Sequence, residues 1–351
     1  MDNSFWNGKK VFITGHTGFK GSWLSFIISK FGGIVTGYSL TPSTQISLFR
    51  ECKLENRINS VIGDIRDIGL LQKAFNESKP DIVFHLAAQP IVRESYREPR
   101  YTFETNIMGT VNILECIRKF SFTKSFLNIT TDKVYKNNEW CWGYKETDEL
   151  DGFEPYSNSK SCSELITNSY KRSFFLDKDI SISTARAGNV IGGGDFSADR
   201  IIPDCIRAAV KGESISVRNP NSVRPYQHVL EPLIAYMMIA EKQYSNSLYS
   251  GNYNIGPDDN NCISTGELVD CFCKLWGEEL KWEYKENENI LHESNFLKLD
   301  ISLVNHMFSW KPKWNIATSL EKTVEWFRDF YDAADISERM DKQIEEYLYE
   351  R

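Results

Sequence analysis

Tyr156 and Lys160 have the types and spacing of a proton-transfer pair. They are four positions apart, which places a phenol and an ammonium group on one face of a helix. A phenol with a pKa of about 10 is a poor base at neutral pH, but a neighbouring cation favours the phenolate. The pair could therefore take a proton from a substrate hydroxyl. Because the chain has 16 tyrosines, a tyrosine and a lysine at this spacing also arise by chance. The position of the pair along the chain therefore decides how much weight it carries.

A second polar group precedes this pair by one loop. Thr130, Asp132 and Lys133 stand at the end of an apolar, β-branched run over residues 126–130. The carboxyl end of a parallel strand opens into the ligand crevice of an α/β sheet, so we expect these side chains to meet the substrate. The alternative for Asp132 and Lys133 is a surface turn held by an ion pair.

Three glycines follow the first apolar run, residues 11–14, and precede an apolar helix. Gly15 permits a tight turn, Gly18 lets the backbone approach a pyrophosphate, and Gly21 allows the helix to pack closely on the strand. The helix N-terminus then offers unpaired N–H groups to phosphates. A glycine-rich turn without a ligand is the alternative. The strand–glycine–helix order favours a dinucleotide site, in which His16 is expected to contact the cofactor.

The Asp or Glu that usually follows the second strand of a dinucleotide site and binds the adenosine ribose is missing. That strand ends in Tyr38-Ser39-Leu40-Thr41, so hydroxyl groups of Ser39 or Thr41 would have to hold the adenosine ribose. Arg50 lies too far downstream to indicate a 2′-phosphate pocket. NAD is favoured over NADP, although these residues leave the choice open, and Asp64 is a candidate adenine contact.

Six short apolar runs alternate with segments of helical length. This order predicts an α/β fold, a Rossmann-type doubly wound parallel sheet with a smaller mixed α/β substrate lobe. The buried strands are predicted over residues 11–14, 34–38, 61–62, 82–86, 126–130 and 180–187, and helices over residues 23–31, 68–75 and 105–120.

Prolines and glycines break the chain after about residue 190. We predict a dinucleotide-binding domain over residues 1–190, to which later segments return. Residues 191–351 would form mainly the substrate-binding lobe and C-terminal helices. Residues 337–351 are dense in charge with apolar residues at helical spacing, which is typical of a solvated amphipathic helix.

Composition excludes several classes of partner. With 41 basic and 48 acidic side chains the net charge is −7, so nucleic acid and anionic membranes are not expected partners. No apolar run approaches the roughly 18 residues of a membrane span, and the first ten residues do not resemble a secretion signal. The eight cysteines include no C-x-x-C pair, which predicts free thiols in a reducing cytoplasm and no metal site.

The chain resembles the extended short-chain dehydrogenase/reductases, which share its G-x-x-G-x-x-G spacing, and among them the CDP-glucose 4,6-dehydratases. The acid–lysine pair stands where sugar epimerases of this superfamily usually carry a Ser/Thr-rich stretch. Five segments carry the resemblance: Gly15-His16-Thr17-Gly18-Phe19-Lys20-Gly21-Ser22-Trp23, His85-Leu86-Ala87-Ala88-Gln89-Pro90, Thr105-Asn106-Ile107-Met108-Gly109-Thr110, Thr130-Thr131-Asp132-Lys133-Val134-Tyr135 and Arg224-Pro225-Tyr226-Gln227-His228-Val229.

The resemblance implies a redox-neutral elimination on CDP-glucose with retained NAD. Tyr156, assisted by Thr130 and Lys160, would take the 4-hydroxyl proton while hydride passes from C4 to NAD. Asp132 would protonate the departing 6-hydroxyl before the hydride returns to C6. Lys133 would be the base at C5, if its pKa is depressed, or would orient the sugar. The implied cofactor contacts are Gly15, His16, Gly18, Phe19, Lys20, Gly21, Ser39, Asp64, Ile65, Leu86, Ala87, Ala88, Gln89, Asn106, Tyr156 and Lys160.

The nucleotide sugar is expected on the opposite wall, around residues 186–195 and the segment after them. Arginines match phosphate oxygens bidentately, but each is as readily explained by a surface ion pair. His228 is equally suited to a structural role and to a base or ribose contact, whereas His85 is expected to be structural. The candidate substrate contacts are Gln89, Asn189, Asp195, Arg200, Arg218, Arg224 and His228.

Other functions stay open at this point. The nearest rivals are dehydratases of UDP-N-acetylhexosamine or dTDP-glucose, followed by a nucleotide-sugar 4-epimerase. A catalytically silent NAD-binding scaffold is disfavoured because Thr130, Asp132, Tyr156 and Lys160 are all present. The resemblance also implies a homodimer built from two helices per subunit, near residues 105–120 and 156–174, and a place upstream of dideoxy sugars in bacterial surface polysaccharide (O-antigen).

Overall fold

A seven-stranded parallel sheet forms the centre of the molecule. The computed structural model describes residues 1–277, 279–285 and 296–349. In this part of the chain the strands are β1 Lys10–Thr14, β2 Ile34–Ser39, β3 Asn59–Ile62, β4 Ile82–His85, β5 Ser125–Ile129, β6 Ser181–Ala187, β7 Val190–Ile191, β8 Ile215–Val217, β9 Val223–Arg224, β10 Gln227–His228, β11 Asn252–Ile255, β12 Ile263–Ser264 and β13 Trp282–Tyr284. The strand order is β11-β6-β5-β4-β1-β2-β3. From β1 the chain adds strands on one side of the sheet, and from β4 it adds them on the other side, so a crevice opens at the carboxyl ends of β1 and β4.

Helices cover both faces of this sheet. The α-helices are α1 Phe19–Lys30, α2 Leu48–Glu51, α3 Ile68–Ser78, α4 Val92–Arg97, α5 Pro99–Phe103, α6 Gly109–Phe120, α7 Pro155–Phe174, α8 Ile201–Lys211, α9 Leu230–Ser245, α10 Thr265–Trp276, α11 Ser302–Phe308, α12 Ile316–Tyr331 and α13 Ile336–Tyr349. One apolar core joins α1 and α9 to the sheet, and a second joins α3 and α6 to its other face. The Rossmann-type fold class is confirmed.

The six predicted strands are all present, with ends that differ by at most two residues. The prediction that residues 61–62 are buried was wrong, because β3 lies at the sheet edge, where Val61 is half-buried and Ile62 exposed. The first helix begins at Phe19, four residues earlier than predicted, directly after the glycine loop. The helix predicted over residues 105–120 is a π-helical segment, Glu104–Met108, followed by α6.

The seventh strand, β11, had no counterpart among the predicted strands. It pairs with β6, so a segment beyond residue 190 completes the sheet. Two asparagines interrupt its apolar pattern, and the side chain of Asn254 is fully buried among hydrogen-bond partners. The division of the chain at residue 190 stays a prediction.

The remaining strands form three two-stranded ladders: β7 with β10, β8 with β13, and β9 with β12. The C-terminal helix α13 is amphipathic as predicted, but it is not merely solvated. Met340, Ile344 and Tyr347 are buried in the large core. Residues 350–351 of the predicted helix lie outside the described residues.

All eight cysteines are free thiols, and four of them are buried. No described helix is long and apolar enough to cross a membrane. Within the described ranges, no cluster of three or more His, Cys, Asp or Glu side chains could hold a metal ion.

Candidate active site

A cavity of about 300 Å³ lies at the carboxyl ends of β5 and β6. Thr130, Asp132, Lys133 and Tyr156 line one wall, so the structure brings four of the five predicted catalytic side chains together. The fifth, Lys160, lies behind this wall in the protein interior.

The first turn of α7 fixes Tyr156. Pro155 starts the helix, and the carboxylate of Glu154 caps it by accepting hydrogen bonds from the backbone N–H of Tyr156 (2.7 Å) and Ser157 (3.0 Å). Burial raises the pKa of Tyr156 to about 12, against the opposing effects of a hydrogen bond with Thr131 and the Arg200 charge. In this structure Tyr156 is therefore a neutral phenol at pH 7.

Lys160 lies one helical turn further on, with only 3% of its surface exposed. Its Nζ donates to the carbonyl oxygen of Ile129, the last residue of β5, at 2.9 Å. Burial lowers the pKa of Lys160 to about 8, and the carboxylate of Glu164 opposes that change. The ammonium form predominates at pH 7, as its predicted role requires.

Thr130 is tied to a buried ion pair that the sequence analysis missed. Its Oγ1 donates to Glu164 Oε1 at 2.5 Å, and Glu164 pairs with Arg186 at 3.0 Å. A detectable signal was available: Tyr156, Lys160 and Glu164 follow one another at intervals of four, so they share one helix face. A carboxylate on a face packed against a sheet requires a partner.

Asp132 occupies a tight position at the end of β5. Its Oδ1 accepts from Thr131 Oγ1 at 2.9 Å, whereas its buried Oδ2 has no hydrogen-bond partner among the residues that the structure describes. A Cβ at Gly188 would lie 2.6 Å from Oδ2, so the neighbouring chain leaves no room for a larger residue there. The next residue, Lys133, is half-buried on the cavity wall. An unpaired carboxyl oxygen beside the cavity can exchange a proton with a bound ligand.

The glycine loop has the geometry of a phosphate cradle. Gly15 adopts φ +79°, and a Cβ there would lie 2.8 Å from the backbone nitrogen of Ala87. A Cβ at Gly21 would lie 2.1 Å from the Gly15 carbonyl oxygen. Gly18 precedes α1 as its N-cap residue, and no side chain caps this helix. The loop is open on that side, with Gly18 exposed and Phe19 half-buried.

The prediction of a cofactor contact fails for the His16 imidazole. The ring is fully buried beneath the loop, where Nε2 bonds Ser60 Oγ at 2.7 Å and the ring edge meets Phe49. Burial lowers its pKa to about 4, so the ring is neutral. His16 therefore supports the loop from below, and only its backbone can face a ligand.

Hydroxyl groups stand where an acid was missing after β2. Ser39 Oγ and Thr17 Oγ1 are 2.9 Å apart, and Thr17 also donates to the Leu40 carbonyl. Asp64 lies half-buried after β3 and is paired with Arg66 at 2.6 Å. This pairing lowers the pKa of Asp64. The following predicted contact, Ile65, is buried and packs against Gly109.

The end of β4 forms the floor of the crevice. Leu86, Ala87 and Ala88 are half-buried there, in position to contact a flat ligand. Gln89 is buried, and its side chain bonds Thr102 (2.9 Å) and the backbone of Ile91. The prediction that the Gln89 side chain contacts cofactor or substrate is therefore not supported by its orientation.

Asn106 shapes this floor from beneath. Its Oδ1 accepts from the Gln89 backbone at 2.8 Å and its Nδ2 donates to Ser159 Oγ at 2.8 Å. These two hydrogen bonds connect the loop after β4 to α7. Asn106 is only 1% exposed and does not itself line the cavity. His85, expected to be structural, is buried between Thr14 and Thr110, which bond its two ring nitrogens.

The second wall of the cavity carries the predicted anion-binding residues. Arg200 pairs with the buried Asp195 at 2.9 Å, and this carboxylate raises the pKa of Arg200. Arg218 pairs with Asp199 at 3.2 Å. All five predicted residues of this wall line the cavity: Asn189, Asp195, Arg200, Arg218 and Arg224.

His228 lies outside this cavity, so the substrate contact predicted for it is not supported. Its ring is fully buried, 4.8 Å from the ring of Trp314 and 6.3 Å from that of Trp23, and its Nδ1 accepts from the backbone N–H of Leu230. Burial lowers its pKa to about 3. Of the two roles considered for His228, this position fits the structural one.

Lys20 is a further lysine on the cavity wall. Burial, together with the positive charges of Arg200 and Lys160, lowers its pKa to about 7. Lys20 therefore carries only a partial charge at pH 7, and an anion bound between it and Arg200 would favour its protonated form.

Comparison with protein families matches residues 12–323 to the GDP-mannose 4,6 dehydratase family. Among curated proteins, a CDP-glucose 4,6-dehydratase of Salmonella typhimurium is 43% identical over 99% of this chain and 98% of its own length. A dTDP-glucose 4,6-dehydratase of Shigella flexneri is 27% identical over 91% of this chain and 92% of its own.

Solved structures share the fold at lower identity. A UDP-glucose 4-epimerase of Thermotoga maritima, solved with UDP-glucose, superposes with a TM-score of 0.80 at 22% identity, covering 92% of this chain and 99% of its own. A dTDP-glucose 4,6-dehydratase of Bacillus anthracis, solved in complex with NAD, superposes with a TM-score of 0.78 at 21% identity, covering 94% and 100%.

Proposed function

Because the chain belongs to the GDP-mannose 4,6-dehydratase family, within the extended short-chain dehydrogenase/reductases, we propose that it is a CDP-glucose 4,6-dehydratase. The observation that carries the proposal is the 43% identity with the Salmonella enzyme over nearly the whole of both chains. The product would be CDP-4-keto-6-deoxyglucose, and the reaction would be redox-neutral overall.

The residues present fit NAD. The loop leaves no space for a side chain at Gly15 or Gly21, is open at Gly18, and presents the uncapped N-terminus of α1, which suits a pyrophosphate. Ser39 and Thr17 offer hydroxyls at the ribose position, and Asp64 lies beyond them for the adenine. NAD bound there supplies the hydride acceptor for oxidation at C4 and the hydride donor for reduction at C6.

Tyr156 acts on the sugar 4-hydroxyl. Its phenol must lose a proton before it can accept one, and its raised pKa shows that protein burial alone opposes this. The Lys160 ammonium, one turn away on the same helix face, favours the phenolate electrostatically. Thr130 assists from the same wall: its hydroxyl donates to Glu164, which leaves its oxygen as a hydrogen-bond acceptor for the sugar.

Asp132 and Lys133 act on the neighbouring carbons. Oxidation at C4 acidifies the C5 hydrogen, so a base and an acid on one wall suffice to eliminate water across C5–C6. The unpaired Oδ2 of Asp132 is suited to protonate the departing 6-hydroxyl, and Lys133 is our candidate for the C5 base. Both roles rest on their positions in the cavity.

The opposite wall holds the nucleotide diphosphate. Arg200, Arg218 and Arg224 line the cavity, and guanidinium groups bind phosphate oxygens bidentately. Asn189 and Asp195 line the same cavity, and Asp195 pairs with Arg200. A local cluster of cations thus accounts for anion binding by a chain whose net charge is −7.

We also propose a homodimer in a reducing cytoplasm. The helices near residues 105–120 and 156–174 carry large exposed apolar side chains, Met108, Leu165 and Phe174, which a second copy would cover. Eight free thiols fit a reducing compartment. Light scattering should give about twice the chain mass of 40.5 kDa, and a monomer would contradict the dimer.

Turnover of sugar nucleotides tests the function. The purified holoenzyme is incubated separately with CDP-, dTDP- and UDP-glucose and with UDP-N-acetylglucosamine, and products are followed by mass spectrometry. We expect loss of one water from CDP-glucose and at least about tenfold lower kcat/KM for the other nucleotides. Water loss only from another sugar nucleotide would overturn the CDP-glucose assignment.

A further inference from the structure

A buried ion pair lies behind the catalytic wall and has no place in the mechanism above. Glu164 on α7 and Arg186 on β6 are exposed by 0% and 1%. Arg186 Nε and Nη2 each donate to one Glu164 oxygen at 3.0 Å, which is a bidentate pair. Such a pair is weak evidence for a role in stability alone, because apolar residues of similar volume often stabilise a fold as well.

Glu164 reaches the catalytic wall through Thr130. The Thr130 hydroxyl donates to Glu164 Oε1 at 2.5 Å, and Thr184 donates to Oε2 at 2.6 Å. A hydrogen bond to an ionised acceptor is shorter and stronger than a neutral one, so it holds the donor in a single rotamer. The position of the Thr130 oxygen in the cavity is therefore set by Glu164.

Glu164 also acts on Lys160, one turn before it on α7. Its carboxylate is the charge that supports the ammonium form of Lys160 against burial. The other titratable groups around Lys160 are Tyr156 on the same helix, His85 on β4 and Lys20 on α1. His85 is neutral, Tyr156 is an uncharged phenol at pH 7, and Lys20 repels the ammonium, so Glu164 is the group among these neighbours that favours it.

We infer that Glu164 is a positioning residue for the dehydratase reaction, acting through the orientation of Thr130 and the charge of Lys160, with Arg186 as its counter-ion. This inference rests on the proposed function. It predicts that Glu164 affects the chemical step and leaves substrate binding unchanged, because its carboxylate does not line the cavity.

The main test replaces both charges. Glu164→Gln alone would leave the Arg186 cation buried without a partner, so it is combined with Arg186→Met. In the holoenzyme, kcat for CDP-glucose should fall about 100-fold, as expected for a misplaced catalytic group, with KM within about twofold. The alkaline limb of the kcat/KM profile should move to lower pH, because Lys160 loses its supporting carboxylate.

Two further variants separate position from charge. Glu164→Asp keeps the charge opposite Arg186 but withdraws the carboxylate from Thr130, so kcat should fall while the alkaline limb stays in place. Glu231→Gln is the matched control, since Glu231 is another fully buried acid on α9, outside the cavity. This variant should leave both kcat and the alkaline limb of the kcat/KM profile unchanged.

The inference is overturned if the double variant, or Glu164→Asp should the double variant not fold, has wild-type kcat and a wild-type pH profile. A reduced melting temperature without those changes would show a purely structural pair. Failure of the proposed function looks different, because the wild type itself would then not dehydrate CDP-glucose. In that case the Glu164 variants would be compared with the wild type on the sugar nucleotide that the wild type does convert.

Discussion

Burial pushes the two ionisable partners of the catalytic helix toward their neutral forms. It raises the pKa of Tyr156 to about 12 and lowers that of Lys160 to about 8. Lys160 is still mainly an ammonium at pH 7, whereas Tyr156 is a neutral phenol that must lose its proton before it can act as a base. The sequence-based argument left out burial, which is the largest influence on the pKa of Tyr156 in this structure.

The pH dependence follows from Lys160. Since its pKa in the folded protein is about 8, the ammonium is present below pH 8 and is lost above it. We expect kcat/KM for CDP-glucose to decline with an alkaline limb near pH 8. Lys160→Met should lower kcat by about 100-fold or more and abolish this limb. A pH-rate profile that is flat from pH 7 to 10 in the wild type would contradict the assignment.

Lys133 is tested by the C5 hydrogen. A base at C5 exchanges this hydrogen with solvent deuterium during turnover, so Lys133→Ala should slow the exchange about 100-fold or more. Mass spectrometry of the recovered sugar nucleotide measures it. Asp132→Asn is the comparison, because it removes the acid for the 6-hydroxyl and should leave exchange at C5 faster than product formation. Exchange at the normal rate in Lys133→Ala would exclude the lysine as the base.

The turn between β1 and α1 depends on close approach of the backbone to itself. A Cβ at Gly21 would lie 2.1 Å from the Gly15 carbonyl oxygen, so Gly21→Ala must displace the first turn of α1. We expect NAD affinity, measured by calorimetry, to fall by at least about tenfold, equivalent to about 1.4 kcal/mol. Gly69→Ala, in the first turn of α3, is the control and should bind NAD normally, since its Cβ meets only Asp67 Oδ1 at 3.4 Å.

Elements with a strong apolar period were predictable, and those that depend on partners were not. Five of the six predicted strands are buried runs whose pattern survives in the sheet, and the glycine loop follows directly from its strand–turn–helix order. Strand β11 escaped because Asn254 is buried by bonding to the backbone of distant segments, which no local pattern records. One indication of Glu164 was present in the sequence: it lies four residues after Lys160 and so shares the face of α7 that carries Tyr156 and Lys160.

Side-chain direction was the other limit. His16, Gln89 and His228 all stand in segments that belong to the site, but each ring or amide turns into the interior. Sequence spacing places a residue on an element, and the packing around it decides which way it points. Backbone contacts from the loop and from β4 therefore carry more of the cradle than the list of side chains suggested.

At the scale of the whole molecule, the C-terminal helix α13 is held to α9 in the large core. Glu231 on α9 accepts hydrogen bonds from the backbone N–H of Lys313 (3.0 Å) and Trp314 (2.7 Å) and from the hydroxyl of Tyr347 on α13 (2.5 Å). One fully buried carboxyl thus joins α9 to two later segments, the one at Lys313 and Trp314 and helix α13.

Glu231 should make stability depend on pH. Burial raises its pKa from 4.5 to about 7, despite the three hydrogen bonds, so the folded protein binds this proton more tightly than the unfolded chain. The Glu231 contribution is therefore greatest at low pH and declines as the pH rises from about 4.5 to about 7, by up to about 3 kcal/mol. Glu231→Gln keeps the shape and removes the titration. Urea unfolding at pH 5 and pH 8 should show that the variant gains stability relative to the wild type at the higher pH, and an equal difference at both values would contradict a protonated Glu231 at pH 5.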